Sequence, residues 1–162
     1  MNVWQMTTTT HRASKVELRN ATPTERDDLY KVFRAAMKEY IAQTRGEWNE
    51  QREETQFQQQ LDLSVTQVIC ADDSDVGFIT APVRDGIVWI HTICIIPEHQ
   101  NKGFGTEVIQ SVIALAREQK LPLYLSVLKV NPARQLYERL GFRVTLESTH
   151  HYRMQLQDTP GD

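Results

Sequence analysis

The run IVWIHTICII, residues 87–96, constrains the fold more than any other part of the chain. Both of its alternating faces are apolar. A strand of that kind is covered on both sides of a sheet, which predicts a central strand in a layered arrangement of helices and sheet. The ten residues after it, PEHQNKGFGT, lead directly into EVIQSVIALA. There Val108, Val112 and Leu115 form a stripe beside Ile109, Ile113 and Ala116, so a helix is expected from about Gly105 to Gln119. A strand, a short loop with two glycines and a helix thus follow one another. Gly103 and Gly105 lack side chains, so main-chain N–H groups from Asn101 to Thr106 can converge on one point. The positive end of the helix adds to that field. Such a junction suits an anion, most naturally a phosphate or diphosphate. A dinucleotide-binding loop needs a third glycine where Val108 stands, and a phosphate-binding P-loop needs Gly-Lys-Ser/Thr at its end. Neither is present.

The rest of the chain supplies partners for that strand. VELRNAT reads as a first strand, and Thr24 as the N-cap of a helix whose Leu29, Phe33, Met37, Tyr40 and Ile41 share one face. Arg45-Gly46 stops it. A very polar second helix over Glu50–Leu61, anchored by Phe57 and Leu61, is expected to lie over the core as a flap. TQVICA and VGFITAPV read as strands joined at DDSD, with a further turn at Asp85-Gly86. LPLYLSVL is another strand. Asn131-Pro132 opens a short helix that Gly141 ends, and FRVTLES and HYRMQLQ form a closing antiparallel pair. The expected class is α/β of the α+β type, in the order β-α-α-β-β-β-α-β-α-β-β. Residues 1–14 are expected to be a disordered tail, 15–157 one domain, and 158–162 a frayed end.

Composition narrows the function. With 162 residues and a net charge of −3, the chain offers no basic field for nucleic acid. No signal-peptide layout or membrane-length apolar run is present, so a soluble cytoplasmic protein is expected. Cys70 and Cys94 lie in apolar strands and read as reduced, buried thiols; no metal-ligand spacing occurs.

Gln100-x-x-Gly103-x-Gly105 after TICIIPE, followed downstream by Asn131-Pro132-Ala133 and Leu136-Tyr137-x-x-x-Gly141-Phe142, resembles the two signature segments of the GNAT superfamily of N-acetyltransferases. The likeness runs from about Val16 to Gln157. It implies a mixed, mostly antiparallel sheet flanked by helices, in which two strands splay into a V. It also implies acetyl-CoA as cofactor. The pantetheine arm would pair with Ile93, Cys94 and Ile95. The diphosphate would sit on the loop, Gln100, Asn101, Lys102, Gly103, Phe104, Gly105 and Thr106. Asn131, Arg134 and Tyr137 would complete the cofactor contacts, with Lys129 a further candidate for the 3′-phosphate. The family pattern has two residues where Pro132 stands alone, which leaves Asn131 either a cofactor contact or purely a helix cap.

Amide formation needs a neutral amine and a protonated leaving thiol. By the resemblance, Tyr137 protonates the thiolate and an N–H near Ile95, on a bulged strand, meets the carbonyl oxygen. The base is His91, Glu98 or water. Tyr40, Trp48, Glu50 and Tyr124 are candidate acceptor contacts, with Glu53, Glu54 and His150 to Tyr152 beside them; acidic and aromatic groups there suit a cationic amine. The expected activity is direct acetyl transfer to a primary amine of a small molecule or peptide. A non-catalytic acyl-CoA-binding module and a protein lysine or N-terminal acetyltransferase are the alternatives. A homodimer is compatible with this type of protein.

Overall fold

The computed structural model describes residues 15–157; the expectations for residues 1–14 and 158–162 fall outside them. Thirteen elements follow one another. They are β1 (Glu17–Asn20), α1 (Arg26–Arg45), α2 (Glu50–Gln60), β2 (Thr66–Ala71), β3 (Ser74–Thr80), β4 (Val83–Arg84), β5 (Ile87–Ile90), β6 (Thr92–Ile95), α3 (Phe104–Glu118), β7 (Leu123–Leu128), α4 (Ala133–Arg139), β8 (Phe142–Glu147) and β9 (His151–Leu156). They build two sheets, β1-β2-β3-β6 and β4-β5-β7-β9-β8. All pairings are antiparallel except β5 with β7.

The expected central strand is two strands. Pro82 interrupts the ladder after β3, because proline has no N–H to donate. The 87–96 run therefore changes partners: His91 N–H still bonds Thr80 O at 2.9 Å, while Trp89 N–H turns to Pro82 O at 3.0 Å. Past His91, β6 pairs with β3 in unbroken register from Thr92 to Ile95. The irregularity lies at His91, and the bulge expected at Ile95 is absent. The stretch VGFITAPV divides for the same reason, into β3 and β4, so the order has two strands more than expected.

The first helix also starts differently. Thr22, rather than Thr24, caps a 3₁₀ turn over Pro23–Glu25 that runs into α1. Glu25 accepts from the Thr22 N–H at 2.8 Å and binds Arg19 through both oxygens at 2.9 and 2.7 Å. These contacts hold its carboxyl down at about 2. Turn chemistry matches the sequence elsewhere. Asp72, Asp73, Asp85 and Gly86 take positive φ in the two hairpins, and Gly46 and Gly141 end helices in the left-handed region.

Two apolar clusters hold the layers together. α3 buries Val108, Ile109, Val112 and Leu115 against β3, β5, β7 and β9, with Phe142 and Met154 wholly buried. On the other side, Leu29, Tyr30 and Phe57 of α1 and α2 pack on Val68, Phe78 and Cys94. β6 lies between these clusters.

Candidate functional site

β5 and β7 run side by side only as far as Ile90 and Leu125. Beyond that point β6 stays with β3, while Ser126, Val127 and Leu128 stay with β9. A V opens between them. Among the described residues β6 has one strand partner, so its second edge faces this cleft with N–H and C=O groups of the kind that pair with an added extended segment.

The cleft, about 520 Å³, is walled by Ile93, Cys94 and Ile95, the 99–106 loop, Met37 and Tyr40 of α1, and Asn131, Leu136 and Tyr137. Loop geometry explains the glycine pattern. Asn101 has φ 62° and Gly103 φ 86°, so the chain makes two left-handed steps before α3 begins at Phe104. A Cβ at Gly103 would meet nothing within 4 Å, and one at Gly105 only Ile95 Cγ1 at 3.8 Å. Gly103 is thus required by its φ. Gly105 is required by nothing inside the protein. No side chain caps α3, and its first intrahelical bond runs from Glu107 N–H to Gly103 O. The six N–H groups from Asn101 to Thr106 consequently find no acceptor among the described residues. Phosphate oxygens fit such a set of donors at a helix start. Gln100 shapes the loop from its side chain, donating from Nε2 to Ile95 O at 2.8 Å. Lys102 is exposed and outside the cleft, and Phe104 is a core residue beside His99.

Tyr137 sits at the apex. It is 8% exposed, packs edge-on against Phe142, and its hydroxyl has no hydrogen-bond partner among the described residues. A buried polar group left unpaired calls for an explanation, and a ligand atom at the cleft apex supplies one. Burial, with Cys94 nearby, raises the phenol above its usual range. Cys94 is 2% exposed and its thiol is pushed up to about 12 by burial.

Met37, Ile93, Cys94, Asn131 and Tyr137 also wall a second cavity of about 370 Å³ on the far side of the V. His91, His150, His151 and Ser126 line it. Partial desolvation, then Arg84, lowers the His91 pKa, and partial desolvation, then His150 and Arg45, lowers that of His151, although both side chains are exposed. Both shifts favour the neutral, proton-accepting imidazole near pH 7.

The structure separates the other candidates. Asn131 accepts the Ala133 N–H at 2.9 Å from just ahead of α4, whose N-cap position falls on Pro132, and Asn131 lines both cavities. Arg134 binds Glu138 at 2.7 Å and stacks over Tyr152 at 4.2 Å, outside the cleft; Lys129 binds Glu147 at 2.6 Å over the same ring. Trp48 and Glu50 join α1 to α2 instead of facing a cavity: Glu50 accepts from Trp48 Nε1, from Tyr30 at 3.0 Å and from Arg34 at 2.9 Å. Tyr124 stacks on Trp89 with centroids 5.0 Å apart. Glu54 and Glu98 are exposed and line none of these cavities. Met37, Arg45 and Ser126, not singled out in the sequence as site residues, do line them. Met37 belongs to the apolar stripe of α1, which was legible; Arg45 and Ser126 carry no sequence signal.

Residues 30–142 match the acetyltransferase (GNAT) family. The chain belongs to that family. The uncharacterized N-acetyltransferase YobR of Bacillus subtilis (strain 168) is 36% identical over 77 residues, 46% of this chain; the chain spans 30% of that relative's length. Among solved structures, the PaiA N-acetyltransferase of Thermoplasma acidophilum, in complex with coenzyme A, is similar with a TM-score of 0.70. It shares 18% identity, over 88% of this chain and 99% of that one. Naa50 of Arabidopsis thaliana, in complex with the bisubstrate analogue CoA-Ac-MVNAL, is similar with a TM-score of 0.59. It shares 17% identity, over 89% and 99%. Both likenesses show the GNAT fold, a mixed sheet flanked by helices.

Proposed function

We propose that this GNAT chain is an acetyl-CoA-dependent N-acetyltransferase that passes the acetyl group directly to a primary amine of a small molecule or peptide. One observation carries the reading: a cleft is walled at one end by the 101–106 loop, whose N–H groups have no acceptor among the described residues, and at the other by a buried tyrosine hydroxyl that has no partner among them. Acetyl-CoA, when bound, supplies an activated acetyl thioester. The N–H groups of Asn101 to Thr106 hold the diphosphate, and the open edge of β6 at Ile93 to Ile95 orients the pantetheine arm. Neutral His91 takes a proton from the incoming ammonium, directly or through water, and Tyr137 donates its own to the departing sulfur. Burial makes the Tyr137 phenol a weaker acid than usual, but the same dry apex raises a thiolate's proton affinity too, so transfer stays feasible. Cys94 stays protonated at neutral pH, and only a thiolate is a competent nucleophile, so no acetyl-enzyme is formed.

The second cavity favours an enzyme over a binding module, because a module needs no space for an acceptor beside the thioester. The test is calorimetry with coenzyme A together with acetyl-CoA turnover across amines and short peptides. Saturable binding with acetylated product is expected. Absence of coenzyme A binding overturns the assignment, and binding without acetylation leaves the module.

A further inference from the structure

The acceptor-side cavity continues past Ile90, His91 and Ser126 into a hollow of about 510 Å³ beneath α2. Phe33, Ile41, Phe57 and Trp89 make part of its wall apolar. Two carboxylates reach it, and both are occupied. Glu53, 3% exposed, is held by Arg52 Nη2 at 3.1 Å and Nε at 3.2 Å, and by Arg45 Nη1 at 3.3 Å. Asp62 accepts the Ser64 N–H and hydroxyl at 3.0 and 2.5 Å and faces Arg84 at 3.8 Å. A cationic tail entering here would compete with the guanidinium groups already on both acids.

The cations are placed differently. Arg45 lines both hollows. Arg52 holds Glu53 at 3.1 Å and also faces Glu47 at 3.8 Å, so Arg45 is the second guanidinium on the one buried carboxylate. A guanidinium has five N–H donors. Arg45 commits Nη1 to Glu53 and Nη2 to Gln56 Oε1 at 3.3 Å, which leaves donors for a further acceptor. Arg84 stands on the far wall. Guanidinium forks match carboxylates in shape and charge.

We propose that the acceptor is an amine carrying a carboxylate on an apolar body, with Arg45 receiving the carboxylate where the two hollows join. This rests on the acetyltransferase reading above. It reverses the sign of acceptor that the acidic run Glu50 to Glu54 suggests in sequence, because those acids are spent on arginines or face solvent.

The test compares matched pairs, L-phenylalanine against phenethylamine and 6-aminohexanoate against hexylamine, which also vary the spacing between amine and carboxylate. At least one acid-bearing member should exceed its partner in kcat/KM by about tenfold or more. Arg45→Gln should bring that ratio to within about threefold of unity, mainly through KM, and Arg45→Lys should restore part of it. Coenzyme A calorimetry on each variant reports that the fold and cofactor site are intact. Preference for the plain amine in both pairs, an undiminished ratio in Arg45→Gln, or no acetylation of either acid by protein that binds coenzyme A overturns the proposal. Loss of coenzyme A binding by the unmutated protein overturns the acetyltransferase reading instead.

Discussion

In the proposed reaction Tyr137 would meet the narrowest chemical demand, since a leaving thiolate needs one proton from one place. Its position at the junction of the two cavities and its unpaired hydroxyl give Tyr137→Phe a specific signature. The variant should lose about 10- to 1000-fold in kcat while coenzyme A affinity barely changes, because the ring and its packing on Phe142 remain. Steady-state kinetics beside calorimetry separates the two, and an unchanged kcat removes the phenol from the reaction. His91 makes a second residue-level claim. Partial desolvation and Arg84 hold the pKa of this exposed imidazole below the ordinary 6.5, which favours its neutral, proton-accepting form at neutrality. The sign follows: kcat should be flat near pH 7 and fall only as the pH drops below about 6.5. His91→Gln should erase that acid limb and lower kcat about 100-fold. A limb of the same shape in the variant assigns the titration to another group.

At the scale of elements, two glycines that look alike in sequence do different things. A Cβ on Gly77 of β3 would lie 2.1 Å from Cys94 O on β6, a backbone atom that cannot move without breaking the pairing. Gly77→Ala should therefore cost at least about 2 kcal/mol and loosen β6 from its sheet. Gly105→Ala meets only Ile95 Cγ1 at ordinary contact distance, so the fold should keep its melting temperature. The new methyl would be added to a residue that walls the cleft, however, and coenzyme A affinity should drop about tenfold or more. Thermal melts and calorimetry on the pair make the contrast, and normal affinity in Gly105→Ala refutes the cradle. The GxG spacing and the apolar stripe of α3 were readable because they are local. The break at His91 was not, since it depends on which sheet each half of an evenly apolar run joins. Pro82, the cause, looked like one strand residue among eight. Buried Glu53 was equally hidden: EQREETQ reads as a solvated surface until Arg45, eight residues earlier on another helix, is seen against it.

For the whole molecule, the cleft is a seam. α3 and most of β5, β7 and β9 belong to one apolar cluster, α1, α2 and Cys94 to the other, and β6 with its free edge lies between them. A ligand in the V touches both bodies: Met37 and Tyr40 from α1, the loop before α3, and Leu136 and Tyr137 of α4. Binding to the folded state alone adds about 2.7 kcal/mol at a hundredfold excess over Kd. For a chain of 162 residues that corresponds to a rise of roughly 5–10 °C in melting temperature. The diphosphate should account for most of it, because the loop offers several N–H groups with no acceptor among the described residues while the β6 edge offers the pantetheine only a short stretch of backbone. Coenzyme A should therefore raise the melting temperature by that amount, and pantetheine, which lacks the diphosphate, by a small fraction of it. Gly105→Ala should suppress the coenzyme A shift and leave the pantetheine shift unaltered. Equal shifts from the two compounds would locate the binding energy on β6 instead of the loop, and the anion cradle would then be a turn with no ligand.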